Sequence, residues 1–138
     1  MKKMIAGLIL ASLVGVAQAR GTVALLEPER VTVATGATTL DPEQMKQAIV
    51  RGGSKYEWTV AGEEPGKLRL KYNKQNKHEV EVAVSYDTTG FQIRYVGSIN
   101  MKYELKNGAP FIHPGYNTWV TNLNRAISTE AGALTAAK

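Results

Sequence analysis

Between residues 55 and 96, apolar and polar side chains alternate, and turn-forming clusters interrupt the alternation three times. Tyr56, Trp58 and Val60 alternate with Lys55, Glu57 and Thr59. Leu68, Leu70 and Tyr72 alternate with Lys67, Arg69 and Lys71. Val80, Val82, Val84 and Tyr86 alternate with Glu79, Glu81, Ala83 and Ser85, and Phe91, Ile93 and Tyr95 with Gln92, Arg94 and Val96. A period of two is the repeat of a strand with one buried face, so the pattern predicts four strands. The separators Glu63-Glu64-Pro65-Gly66, Asn73-Lys74-Gln75-Asn76 and Asp87-Thr88-Thr89-Gly90 are short, which makes neighbouring strands an antiparallel meander.

On both sides of this block the spacing becomes helical. Asp41 is placed as an N-cap, Pro42 at the first helical position, and Gln44 to complete a capping box. Leu40 and Met45 are spaced for a hydrophobic staple, and Met45, Ala48 and Ile49 form one apolar stripe. Gly52-Gly53 is expected to end this helix, with Arg51 in its last turn. A second helix is expected from Pro114, because Tyr116, Trp119, Val120, Leu123 and Ile127 fall on one stripe. That stripe places Trp119 in the core, facing Val80, Val82 and Val84. Met101, Tyr103 and Leu105 alternate as a short strand or extended segment before a turn at Asn107-Gly108. Residues 20–39 are expected to be an extended lead-in with a short strand around Val31 and Val33, residues 40–130 one domain, and residues 131–138 a flexible tail. The expected fold is α+β, a two-layer sandwich in the order α-β-β-β-β-α, with a four-stranded antiparallel meander and both helices on one face.

The first 19 residues read differently. Met1-Lys2-Lys3 is a short basic start, Met4 to Val16 is an apolar run, and Ala17-Gln18-Ala19 is a small-residue exit. That order marks a secretory signal peptide cleaved after Ala19, and the run is too short for a transmembrane anchor of ~20 apolar residues. The expectation is a protein exported to the periplasm. Arg20, not Cys, follows the cut, so no lipid anchor is expected there. The chain has no Cys at all, which excludes a disulfide framework.

The formal net charge is +5 over 138 residues; removing Lys2 and Lys3 with the leader leaves 5 − 2 = +3. The mature chain is mildly basic. No basic stripe is interleaved with stacking aromatics, so no nucleic-acid partner is expected. Weak contact with an anionic envelope surface fits the charge better. Lys67, Arg69 and Lys71 on the second strand, Glu79 and Glu81 on the third and Arg94 on the fourth alternate in sign, as a solvated face laddered by cross-strand pairs would. The same hairpin's Arg69, Lys71, Lys74 and Lys77 could also meet anionic headgroups or cell-wall polymer.

Two segments carry a resemblance. Tyr95-x-x-Ser98-x-Asn100-Met101-x-Tyr103 and Ile112-His113-Pro114-Gly115-Tyr116-Asn117-Thr118-Trp119 resemble a family of small uncharacterised proteobacterial periplasmic proteins and predicted lipoproteins. The resemblance spans most of the mature chain and implies the same fold and compartment. It implies no activity, and this chain lacks the Cys that would anchor a lipoprotein.

The candidate binding residues come from those segments. His113, before Pro114, is placed as a helix N-cap; its functional reading joins it to Tyr116 and Asn117 at a helix N-terminus, with Ser98, Asn100 and Tyr103 approaching from the preceding segment. His78 opens a strand. Two histidines without HxH or HExxH spacing give no metal site, and no cofactor motif occurs. A triad of Ser98, His113 and Asp87 can be written, but no nucleophile elbow marks the serine. No catalytic residue is assigned. The leading expectation is a non-enzymatic binding or envelope accessory protein, with an envelope protein or a small ligand as its partner. The alternative is an inhibitor of an extracytoplasmic hydrolase, using the loop Asn107-Gly108-Ala109-Pro110-Phe111 with Phe111 as anchor. A small hydrolase using His113 is a third class.

Overall fold

A computed structural model describes residues 21–137, so the signal segment expected at 1–19 lies outside the described residues. Asp41 caps α1 (Pro42–Lys55): its carboxylate accepts from the Gln44 amide at 2.8 Å, and the Gln44 side chain accepts from the Asp41 amide at 3.1 Å. The capping box read from sequence is thus formed, with Leu40 and Met45 both buried beside it. The meander follows as β3 (Thr59–Glu64), β4 (Lys67–Lys74), β5 (His78–Tyr86) and β6 (Gly90–Ile99). After it come the hairpin β7 (Glu104–Lys106) and β8 (Ala109–Ile112), then α2 (Pro114–Ala136).

The fold is α+β with antiparallel sheets, but the lead-in changes the strand count. It supplies β1 (Val23–Ala24), which pairs with β8, and β2 (Val31–Thr32), which pairs with β6. The result is a five-stranded sheet in the order β2-β6-β5-β4-β3 and a three-stranded sheet in the order β1-β8-β7, in place of a single four-stranded sheet. Two-residue strands carry too little alternation to announce themselves, which is why sequence pattern alone left them as an extended lead-in.

One face of the large sheet presents Leu68, Leu70, Val80, Val82, Val84, Phe91 and Ile93, all essentially fully buried. They share one core with Met45, Ala48 and Ile49 of α1 and Tyr116, Val120, Leu123 and Ile127 of α2. Each such large side chain contributes roughly 1.5–3 kcal/mol by leaving water. On the other face, Arg69 pairs with Glu81 at 2.7 Å and Lys71 with Glu79 at 3.6 Å, the cross-strand ladder expected from the alternating signs. Arg94 does not join it; it reaches Glu27 and the Pro28 carbonyl of the lead-in.

Three expectations are corrected. Gly52-Gly53 does not end α1, which runs on to Lys55. Both glycines are buried, and a Cβ on Gly52 would lie 2.7 Å from the Ile127 amide nitrogen and 2.8 Å from its Cα. The glycine is there because the two helix backbones touch. Lys55, not Arg51, is the basic residue of the last turn, and it pairs with Glu130 of α2 at 2.7 Å. Because the helix is longer, Tyr56 and Glu57 serve as its exit, Glu57 at φ 67°, and β3 begins only at Thr59. Second, residues 131–136 are not a loose tail: they are helical, Ala131 is fully buried, and Leu134 packs on the core. Third, Trp119 is not in the core opposite Val80, Val82 and Val84. The buried line of α2 is Tyr116, Val120, Leu123 and Ile127, and Trp119 falls at its margin, half-buried, edge-on to Tyr72 at 5.0 Å.

The Asp87 turn anchors the lead-in. Its carboxylate accepts from Arg30 at 2.8 Å, from the Thr89 amide and hydroxyl at 2.9 Å and from the Gly90 amide at 3.1 Å. The Thr89 carbonyl takes the amides of Val33 and Ala34, and that of Thr88 takes Leu40. Gly90 is required here, since a Cβ would lie 2.2 Å from the Val31 carbonyl oxygen.

Two outcomes follow for stability. Gly52→Ala should cost about 1–3 kcal/mol in urea unfolding, since overpacked backbone cannot yield, although alanine is intrinsically the better helix former by about 1 kcal/mol. Gly132→Ala, exposed on α2 with nothing near its Cβ position, should gain about 0.5–1 kcal/mol. Equal gains at both would contradict the backbone contact.

The Arg30 guanidinium, then the Thr89 amide, hold the Asp87 carboxyl well below the usual carboxylate range. A depressed carboxylate contributes stability that is present above its unfolded value of about 3.9 and is lost as pH falls through the folded value. Wild type should therefore exceed Asp87→Asn in stability at neutral pH, and the gap should close in acid. Parallel melting curves that keep a constant gap down to low pH would contradict this.

Candidate functional site

His113 is the N-cap of α2. Its Nδ1 accepts from the Gly115 amide at 2.9 Å, and Pro114 follows at the first helical position. As an acceptor, Nδ1 carries no proton, which leaves the hydrogen on Nε2. The His113 amide donates to the Met101 carbonyl at 2.8 Å, so the residue is tied on both sides. The His78 ring lies 6.1 Å away, its Nδ1 hydrogen-bonded to the Asn100 carbonyl at 2.8 Å. That partner is a pure acceptor, so Nδ1 of His78 carries the hydrogen of this bond. Asn100 is itself held by a bond from its side chain to the Lys77 carbonyl at 2.9 Å. Asn100 and Lys102 both take positive φ, at 59° and 56°, and between them the chain drops Met101 into the core.

Ser98, Tyr103 and Tyr116 meet at Tyr95. The Tyr95 hydroxyl bonds to Ser98 Oγ at 2.7 Å, its ring stacks on Tyr103 at 4.7 Å, and it meets Tyr116 edge-on at 5.5 Å. A bulge allows this. Glu81 pairs with Gly97 and Val82 with Tyr95, so Val96 is an extra residue and Ser98 returns to the side that Tyr95 faces. Strict alternation would have separated them. Burial pushes the Tyr95 phenol up, and does so far more strongly for Tyr116. Tyr116 is fully buried and its hydroxyl has no hydrogen-bond partner among the described residues.

Asn117 belongs elsewhere. Its side-chain oxygen accepts from the Leu26 amide at 2.9 Å and its nitrogen donates to the Ala24 carbonyl at 3.0 Å. The amide imitates a strand partner and fastens the lead-in to α2. Of the six candidates, the structure therefore brings Ser98, Tyr103 and Tyr116 together around Tyr95, sets Asn100 and His113 about His78, and leaves Asn117 to the lead-in.

The Ser98, His113 and Asp87 triple is not assembled. Asp87 sits in the turn joining β5 to β6, whereas Ser98 pairs with Val80 toward the far end of β5, roughly 20 Å along the strand. Ser98 Oγ is engaged by Tyr95, and among the described residues no group of three or more His, Asp or Glu could hold a metal ion.

A second feature was not read from sequence. Tyr56, Trp58, Tyr72 and Trp119, with Asn122, line a cleft of about 40 Å³ between the end of α1, β4 and α2. Trp58 forms its buried floor, 5.5 Å from Tyr72 with the planes tilted by 35°, and Tyr56 is 42% exposed at its lip. The Lys74 ammonium stands 5.9 Å from the centre of the Trp119 ring. The available signal was that both tryptophans of the chain sit near the ends of apolar stripes, but only packing joins positions so far apart in sequence.

Comparison with family models, curated proteins and solved structures gives no match to this chain.

The chemistry of the cap and the orphaned hydroxyl is testable together. His113→Asn should keep the melting temperature, because asparagine caps well, while His113→Ala should lose about 1 kcal/mol. Tyr116→Phe should be neutral or stabilising, since it removes a buried hydroxyl that makes no bond. A large loss in Tyr116→Phe would mean that the hydroxyl is satisfied.

Proposed function

We propose that the protein is an exported, non-enzymatic binding module of the cell envelope and that it binds through the aromatic cleft. The observation that carries this reading is the cleft itself: four aromatic rings from three separate elements, with an exposed lip and a lysine beside it. The histidine that chemistry would require is occupied as a helix cap, and the serine is bonded to a tyrosine. The leader pattern and the resemblance to periplasmic proteins support export. Among the described residues, no helix is long and apolar enough to cross a membrane.

The inhibitor reading keeps one specific support. Val96, Ile99, Tyr103 and Leu105 lie close in sequence and are exposed, Ile99 at 62% and Leu105 at 63%. Phe111 does not fit the anchor role in it: it is half-buried in β8, opposite Ala24 and Glu104, with Lys106 over its ring at 4.8 Å.

The test is fractionation followed by binding. The mature protein should be recovered from the periplasm with Arg20 as its first residue, and it should be retained by isolated envelope material. Tyr56→Ala should lose most of that retention with an unchanged melting temperature. A mature chain beginning at Met1, or retention that survives Tyr56→Ala and is lost in Leu105→Asp, would overturn the reading.

A further inference from the structure

We propose that the cleft between Tyr56 and Trp119 binds an acidic carbohydrate, with sugar C–H groups against the aromatic faces and a carboxylate at Lys74; this rests on the binding-module reading above. The ring count is the first argument. Both tryptophans and two of the six tyrosines line this one cleft. An aromatic face is electron-rich, so it attracts the slightly positive C–H face of a pyranose as well as excluding water from it.

Depth is the second. Pockets that engulf small ligands run to roughly 300–1,000 Å³, and this cleft holds about 40 Å³. It cannot enclose a cofactor or a free metabolite. It holds little more than a water molecule, whose share of volume is about 30 Å³, so a sugar would lie across its opening against the exposed parts of Tyr56, Tyr72 and Trp119, as one unit of a polysaccharide can.

Charge is the third. Lys71 is paired with Glu79 and Lys46 with Glu63, but Lys74 makes no ion pair among the described residues, and neither does Lys77 on the same turn. Lys74 is exposed, on the same strand as Tyr72, and positioned over Trp119. A sugar seated on Trp119 that carried a carboxylate would supply the missing counter-charge. The remaining polar groups suit hydroxyls: the phenols of Tyr56 and Tyr72 and the amide nitrogen of Asn122 have no partner within the described residues.

A nucleobase is the competing flat ligand, and the ring geometry disfavours it. Tyr72 meets Trp119 at 72° and Trp58 at 35°, so these three rings do not form parallel walls of a slot for a base. Base-stacking sites present flat platforms along a basic groove.

The experiment titrates the mature protein with a galacturonic acid hexamer, the same hexamer fully methyl-esterified, and an oligodeoxythymidylate, read by tryptophan fluorescence and calorimetry. The acidic hexamer should bind, and its ester should bind about tenfold or more weakly, a difference of about 1.4 kcal/mol. Tyr56→Ala and Lys74→Gln should each weaken the acidic hexamer by a similar factor without shifting the melting temperature. Lys74→Arg should bind nearly as wild type. Lys67→Gln, the same charge change at the opposite end of β4, should have no effect. Equal binding of the ester, or equal effects of Lys67→Gln and Lys74→Gln, overturns the carboxylate contact. Tighter binding of the oligodeoxythymidylate, or binding of no probe, overturns the carbohydrate assignment. If envelope retention still depends on Tyr56 in that case, only the ligand class fails; if retention is absent too, the binding-module reading fails with it.

Discussion

Two helices must lie side by side over one face of a five-stranded sheet, and they do so because their backbones touch at Gly52. A Cβ there would enter the backbone of Ile127. The contact fixes how α2 is rotated about its axis. Tyr116, Val120, Leu123 and Ile127 then point into the sheet, and Trp119 is left at the margin against Tyr72. The cleft follows from that rotation. Its floor is Trp58, carried in by the short exit from α1, and its open side is the half of Trp119 that the core does not use. One glycine in α1 thus sets both the density of the core and the shape of the surface beside it.

The lead-in solves a different problem. A strand edge left bare is a template for unwanted pairing. Here a segment with little regular structure covers parts of two edges, pairing with β8 near its start and with β6 near its end. Between those pairings, side chains take over the work of a backbone ladder. Asn117 supplies both a donor and an acceptor to the chain at Ala24 and Leu26, and Arg94 holds the Pro28 carbonyl. The Asp87 turn then gathers Arg30, Thr89 and Gly90 on a single carboxylate. These are exposed or half-exposed contacts, individually modest, and they act together on one strip of chain.

Charge is distributed unevenly over the surface. The helix-free face of the sheet is internally balanced by Arg69 with Glu81 and Lys71 with Glu79, which leaves it little to offer a charged partner. The β4–β5 turn is different, since Lys74 and Lys77 have no such partners among the described residues, and it stands beside the aromatic cleft. The His78 and His113 rings share that end of the molecule, but their Nδ1 atoms serve the backbone at Asn100 and Gly115. Their arrangement secures the entry into α2.

Local chemistry was legible in the sequence. Asp41 with Gln44, and His113 with Pro114, specify helix starts within a few residues of themselves, and the alternation in β4, β5 and β6 specifies a buried face without reference to the rest of the chain. Three things depended on partners far along the sequence. Gly52-Gly53 has the composition of a helix stop, and only the approach of α2 turns it into a helix contact. Val96 looks like one more outward residue, and only pairing with β5 makes it a bulge that returns Ser98 to Tyr95. Trp119 reads as a core residue, and only the packing of α2 leaves it as the wall of a cleft above the buried Trp58. The sequence by itself determined the caps, the strand faces and the α+β class, because each is set by neighbours within one or two turns of chain. The tertiary structure decided the helix contact, the added strands and the cleft, because each is a meeting of surfaces that no local period encodes.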